Sequence, residues 1–432
     1  MAIQMVTPNI PKSSFKRIVI VGGGFAGITL AKKLVNQPFQ IVLIDQNNYH
    51  QFQPLLYQVA TGGLEPGAVA FPLRKIFPKK KNVHIRLAKV LGVNPESKQL
   101  ETSIGTLDFD YLVIATGAGN NFFGNSNIER FSWGMKSVNQ ALDIRSTILL
   151  NYEKALLIND FKERDSYMNI VVVGGGPTGV ELAGAISEMK RFVLPKDFPE
   201  LNFSEMDIIL VESNDKLLGG MSADSSKKAA EYLKKMGVDV RLNTRVTDYD
   251  GNVVTLSNGE LIDSKTVLWG AGIKGNLIDG FSQEQVGRGG RILCNSFNQV
   301  NGFEYIFAIG DVALIQDEYN PNGHPQLAPV AMQQAEHLAK NLLGKLNNKP
   351  MKPFKYFDKG TMATVGRNRA VVDAPFLHFG GYLAWLTWMF IHLMSLVGFR
   401  NKLSVFVNWC YNYFKYEKAI RLITRPESIK DK

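Results

Sequence analysis

The chain has 432 residues, 45% of them hydrophobic, and a formal net charge of +10, which suits a globular protein of two or three domains. Its two cysteines, Cys294 and Cys410, form neither a CxxC nor a metal-type spacing, and its six histidines form no ligand cluster. That excludes a disulfide framework, zinc and haem; no metal is expected, and the thiols read as reduced, in a protein facing the cytosol.

Residues 1–15 lack the apolar stretch of a secretory signal and read as a flexible tail. Residues 17–34, RIVIVGGGFAGITLAKKL, then give a buried strand, a glycine cluster and a helix. In such a unit Gly22 makes the tight turn, Gly24 lets the backbone approach a pyrophosphate, and Gly27 lets the helix pack on the strand. The N-terminus of the helix presents free N–H groups and a partial positive charge to the phosphates. A carboxylate at the end of the next strand binds ribose hydroxyls, and IVLID supplies Asp45. The unit closes near Gly117 in YLVIATGAG, and 126–165 reads as a connecting segment.

The pattern then repeats. Residues 169–186 read NIVVVGGGPTGVELAGAI, with Gly174, Gly176 and Gly179 in the three glycine roles and Glu212, in IILVES, as the terminal acid. The second unit closes near Gly272, in TVLWGAGIK. The glycine clusters are offset by 152 residues (174 − 22) and the closing strands by 155 (272 − 117), so the two units are copies of one design. A carboxylate at the ribose repels the extra phosphate of NADP, so Glu212 favours NADH. Further on, YIFAIGD at 305–311 places Asp311 after a strand, where it can accept from the ribityl hydroxyls of a flavin. A helix is expected over 329–343, begun by Pro329 and ended by Gly344.

The last quarter differs in kind. Residues 374–399 contain no Asp, Glu, Lys or Arg. Over 403–420, Ser404, Asn408, Asn412 and Lys415 form a polar stripe, and Phe406, Trp409, Tyr413 and Ile420 lie away from it. With Arg400, Lys402, Lys415, Lys418, Arg421 and Arg425 around it, this reads as an amphipathic helix lying on an anionic membrane surface, not crossing it. The tail is expected to be removable after about Val372.

Together these motifs resemble the type II NADH:quinone oxidoreductases, the single-subunit, non-pumping respiratory dehydrogenases. The most specific stretches are NYHQFQPLLYQVATGGL (48–64), FAIGD, APVAMQQAEHLAKN (328–341), FDKGTMATVGRNRAV (357–371) and GFRNKL (398–403). The resemblance implies an α/β fold of two Rossmann-like dinucleotide-binding domains with a C-terminal amphipathic membrane-binding region. It divides the chain into an FAD-binding domain (16–125 and 275–345), an NADH-binding domain (166–274) and the membrane region (346–432). Non-covalent FAD would lie on Gly22, Gly24, Gly27, Asp45 and Asp311, with Lys359 near its ring. NADH would lie on Gly174, Gly176, Gly179 and Glu212, with Glu181 beside the nicotinamide. A membrane quinone would bind near Gln333 and Met362. Where the family often has AQxAxQ, this chain reads APVAMQ, so Gln333 matches the second glutamine and Pro329 replaces the first. The resemblance also implies the cytoplasmic face of the cell membrane. It implies no nucleic-acid partner and leaves a homodimer open. Disulfide reductases and sulfide:quinone oxidoreductases share features of this plan but need cysteines near the flavin.

Overall fold

A computed structural model describes residues 7–415 and 421–424. It divides into two compact units. The first takes Met1–His50, Phe71–Gly119 and Ile273–Asp358; the second takes Gln51–Ala70, Asn120–Gly272 and Lys359–Lys432.

The first unit is built on a five-stranded parallel sheet. Its strands run side by side as Ile306–Ala308, Tyr111–Ile114, Lys16–Val21, Phe39–Asp45 and Val83–Leu87. Alternate residues feed two cores: Ile18, Ile20, Ile41 and Leu43 pack on one face, and Val19, Val21, Val42 and Ile44 on the other. Burial on both faces explains why these strands read as continuous apolar runs. The Phe25–Leu34 helix and the Ala328–Leu346 helix cover one face.

The second unit repeats the plan. Its parallel sheet runs Trp133–Gly134, Thr266–Trp269, Ile170–Val173, Ile208–Val211 and Asp239–Arg241. In both sheets the strand that enters the glycine loop is central, with the terminal-acid strand on one side and the closing strand on the other. The duplication expected from sequence is therefore a duplication of topology.

Three features differ from the sequence-based division. The connecting segment 126–165 and the C-terminal region from Lys359 on both join the second unit, as do residues 51–70, while 346–358 stay with the first. The described part of the expected tail is pinned, because the Arg86 guanidinium donates to the Pro8 and Asn9 carbonyls and the Gln40 amide to that of Pro11 (2.7 Å). The Ala328–Leu346 helix begins with Pro329 in its first turn, as expected, but runs two residues past Gly344.

The C-terminal region opens with a three-stranded antiparallel sheet, Thr361–Thr364, Ala370–Ala374 and Leu377–Gly380. Two helices follow, Tyr382–Ser395 and Phe399–Lys415. Fourteen residues rise only about 21 Å, short of the ~30 Å of bilayer hydrocarbon. Among the described residues no helix is long and apolar enough to cross a membrane.

Candidate functional site

In the first unit the glycine loop has the geometry a pyrophosphate needs. Gly22 adopts φ +111°, and a Cβ there would strike the Ala115 carbonyl; a Cβ at Gly27 would strike that of Gly22. These two glycines are fixed by turn and packing. At Gly24 nothing of the protein comes within 4 Å of an added Cβ, so its backbone faces open space. The helix that starts there carries no side-chain cap, which leaves its first N–H groups available to an anion. Asp45 braces the loop: one carboxylate oxygen accepts from the Gly23 N–H (2.6 Å), the other from the Asn47 N–H (2.6 Å). Burial raises the Asp45 pKa, and those hydrogen bonds oppose the rise. The carboxylate keeps further lone pairs for ribose hydroxyls. Asp311 follows Gly310, whose N–H donates to the buried Gln334 amide oxygen (2.7 Å). The residues present thus fit an adenine dinucleotide.

The second unit reproduces this cradle. Gly174 has φ +105°, a Cβ at Gly179 would strike the Gly174 carbonyl, and Gly176 faces open space. The helix Pro177–Phe192 likewise starts without a side-chain cap. Glu212 braces the loop as Asp45 does, accepting from the Gly175 N–H (2.5 Å). Its other oxygen accepts from the Ser213 hydroxyl, the Asn214 N–H and the Asn214 side-chain amide. Four donors saturate a carboxylate, so a ribose hydroxyl would have to displace one, and the Ser213 hydroxyl and the Asn214 side-chain amide are the two on rotatable side chains. The brace linking acid to second glycine was not anticipated from sequence, where both acids read only as ribose ligands.

Glu181 is the fifth residue of the Pro177–Phe192 helix and is buried. Burial pushes its pKa up to about 8, against the opposing pull of the Thr364 backbone N–H. The Trp388 indole N–H also faces it, but makes no hydrogen bond of good geometry with any acceptor. Burial outweighs both, and Glu181 is largely protonated at neutral pH. This is not a solvated first-turn acid.

Thr364 and Trp388 also line a cleft within the second unit, about 840 Å³ counted out to its open mouth. Its walls are aromatic. Trp385 stacks on Tyr413 (5.6 Å between centroids), and Trp388 packs against Tyr57 and Trp409 (6.3 and 6.0 Å). A relay of hydrogen bonds fixes one wall: the Trp409 indole donates to the Gln58 oxygen (2.7 Å), and the Gln58 amide to the Tyr57 hydroxyl (2.8 Å). Tyr57 is buried, and the nearby Glu181 charge adds to burial in raising its pKa. Sequence reasoning quoted the stretch holding Tyr57 and Gln58 but assigned it no role. The membrane region expected over 346–432 includes Trp385 and Trp388, although Trp388 is fully buried.

The last helix reverses part of the expected pattern. Asn401, Val405 and Trp409 are its buried face. Asn401 donates to the Ala70 carbonyl (3.0 Å) and Asn412, expected on the solvent stripe, to that of Gly63 (3.1 Å). The reason is local: segment 63–70 leaves carbonyls unpaired, and amide side chains satisfy them. Outward point Phe399, Leu403, Phe406, Val407, Tyr411 and Phe414, and the preceding helix likewise exposes Leu383, Leu386, Phe390 and Met394. The protein-facing side thus joins amide hydrogen bonds to the packing of Val405 and Trp409, and the outward side is largely apolar. Of the expected basic fringe, Arg421 is paired with Asp197 (3.0 Å) and Lys418 and Arg425 lie outside the described residues, as does Ile420 of the apolar side.

In the first unit, Gln333 exchanges two hydrogen bonds with the Phe357 backbone, donating at 2.9 Å and accepting at 3.0 Å. In the second, Lys359 is exposed, and Met362 is half-buried on the strand that carries Thr364. Cys294 is buried, which pushes its thiol up to about 12 and disfavours thiolate chemistry; Cys410 is exposed. No cluster able to hold a metal occurs among the described residues.

The chain matches the family model for pyridine nucleotide-disulphide oxidoreductases over residues 16–335 and that for the NDH2 C-terminal domain over 359–415. Two type II NADH:quinone oxidoreductases of Mycobacterium tuberculosis are 34% and 35% identical to it, over 95% and 94% of this chain and 91% and 89% of theirs. Among solved structures, NDH2 from Plasmodium falciparum in complex with NADH aligns with a TM-score of 0.85 at 20% identity, covering 94% of this chain and 99% of that one. The sulfide:quinone oxidoreductase of Aquifex aeolicus aligns at 0.69 and 21% identity, covering 92% and 95%. The last two are likenesses of fold.

Proposed function

The chain belongs to the type II NADH:quinone oxidoreductase family, and from that premise we propose how its own residues divide the work. It oxidises NADH and reduces a quinone, in the balance NADH + H⁺ + quinone → NAD⁺ + quinol, without pumping protons. Non-covalent FAD, when bound, supplies the redox chemistry by accepting hydride and releasing the electrons to the quinone. The observation that carries the residue assignment is the repeated cradle: one glycine loop braced by Asp45, a second braced by Glu212.

In this reading Gly22, Gly24, Gly27, Asp45 and Asp311 hold FAD, with Lys359 near its ring. Gly174, Gly176, Gly179 and Glu212 hold NADH, and the Glu212 charge rejects NADPH. Glu181 positions the nicotinamide. A neutral carboxyl both donates and accepts, which matches the two faces of a carboxamide. The quinone binds near Gln333 and Met362, with the Gln333–Phe357 pair holding its segment in shape. The outward apolar faces of the last two helices rest in the surface of the cell membrane, on its cytoplasmic side where NADH is supplied. The membrane lipids and the quinone are the partners this reading names; a homodimer fits it without being required.

A purified preparation tests the core of this reading. It should be yellow, bleach on anaerobic addition of NADH, bleach far more slowly with NADPH, and recover its colour with a quinone. Protein that takes up no FAD, or that NADH does not bleach, refutes it.

A further inference from the structure

Between Glu65 and Glu96 the chain carries no acidic residue in 30 positions, yet it carries Arg74, Lys75, Lys79, Lys80, Lys81, Arg86 and Lys89. All lie in the first unit. Among the described residues none of the seven is in an ion pair. Burial and then the Arg74 charge depress the Arg86 pKa, while burial and then Arg86 and Arg17 depress that of His84.

These charges are not on loose chain. Phe77 is buried in the core and nails down one end of the turn. At the other end the Asn82 amide donates to the carbonyls of Leu34, Gln37 and Phe39 (3.2, 3.3 and 3.2 Å). Between these anchors stand three consecutive lysines; Lys79 takes the left-handed conformation (φ 57°), and Lys79 and Lys81 are exposed, as is Lys75 in the short helix before. A flexible run of lysines spreads out to lower its self-repulsion. A run clamped at both ends cannot, and it retains a concentrated positive potential that an anionic partner relieves.

We infer that the turn carrying Lys75, Lys79, Lys80 and Lys81 is a docking surface for anionic phospholipid headgroups, separate from the apolar faces of the C-terminal helices. The inference rests on the membrane reading proposed above, which makes the lipid surface the extended anion this enzyme meets. The lysine turn favours a negatively charged bilayer over a neutral one, each lysine near such a surface contributing roughly fivefold.

The test uses the full chain with FAD bound and vesicles of phosphatidylcholine, with or without phosphatidylglycerol. The parent enzyme should bind both, more tightly when phosphatidylglycerol is present, and salt should remove the difference. Changing Lys75, Lys79, Lys80 and Lys81 together to Gln should remove at least tenfold of the phosphatidylglycerol-dependent affinity. Binding to neutral vesicles, flavin content and NADH oxidation with a soluble quinone should be unchanged. Neutralising Lys227, Lys234, Lys235 and Lys340 removes the same net charge elsewhere and should leave lipid selectivity intact. Equal selectivity in parent and variant overturns the inference while leaving the membrane reading standing. So does an equal loss in both sets of variants, which reduces the effect to net charge. A parent that binds neither kind of vesicle overturns the membrane reading and this inference with it. If the lysine variant instead loses only affinity for polyglutamate, the turn is a face for an acidic protein and the lipid inference is wrong.

Discussion

Glu181 holds a proton at neutral pH because burial disfavours its charge more than the Thr364 backbone and the Trp388 indole favour it. Its folded value, about 8, stands above the ordinary 4.5, so between those limits the folded chain keeps a proton the unfolded chain has released. Its contribution to stability is therefore greatest in acid, falls as pH rises from about 4.5 to about 8, and levels off beyond. His50 and His392, each pushed down to about 4 by burial, act oppositely on the acid side. Glu181→Gln isolates the carboxyl. The variant should melt about 2–4 °C above the parent at pH 9 and show little advantage at pH 4. A pH-independent difference would mean that Glu181 does not titrate as its burial requires. In stopped flow the same variant should slow flavin reduction by NADH while retaining flavin; an unchanged rate would remove Glu181 from the nicotinamide site. Gln333→Ala should spare flavin reduction and slow reoxidation by quinone, because it touches only the second half-reaction. Met362→Trp should do the same by obstruction. Loss of flavin in both would show that the Gln333–Phe357 pair and the Met362 strand are structural only.

At the scale of elements, the last helix separates two jobs that a helical wheel cannot assign. Its inward face is Asn401, Val405 and Trp409, and its outward face is apolar. Trp409→Ala removes a buried indole and its bond to Gln58, and should cost ~3–5 kcal/mol in a denaturant titration. Phe406→Asp together with Phe414→Asp should leave stability nearly unchanged but abolish the salt-resistant part of vesicle binding. If the outward variants unfold the protein and the Trp409 variant does not, the faces are assigned the wrong way round. The glycine loops were legible in sequence because their requirements are backbone requirements at fixed spacing. Asp45 and Glu212 were legible as strand-end acids, but their bonds to Gly23 and Gly175 were not, since strand and loop meet only when the sheet forms.

For the whole molecule, the C-terminal region from Lys359 on is part of the second unit and not an appendage to it. Trp388 is buried against Tyr57, and segment 63–70 depends on Asn401 and Asn412 for hydrogen bonds. Truncation after Val372, which sequence alone suggests is harmless, should therefore yield insoluble protein or a markedly lowered melting temperature. A soluble truncated protein with full NADH-driven reduction of a soluble acceptor would show that the second unit closes without its last helices. The sequence by itself determined the two glycine loops, their acids, the duplication and the family, because strand periodicity, obligatory glycines and motif spacing are written along the chain. Only the tertiary structure decided that Glu181 is neutral, that Tyr57, Trp388 and Trp409 line one cleft, and which face of the last helix looks outward. Those facts depend on which groups lose water and which carbonyls lack partners, and both are settled when distant segments pack together.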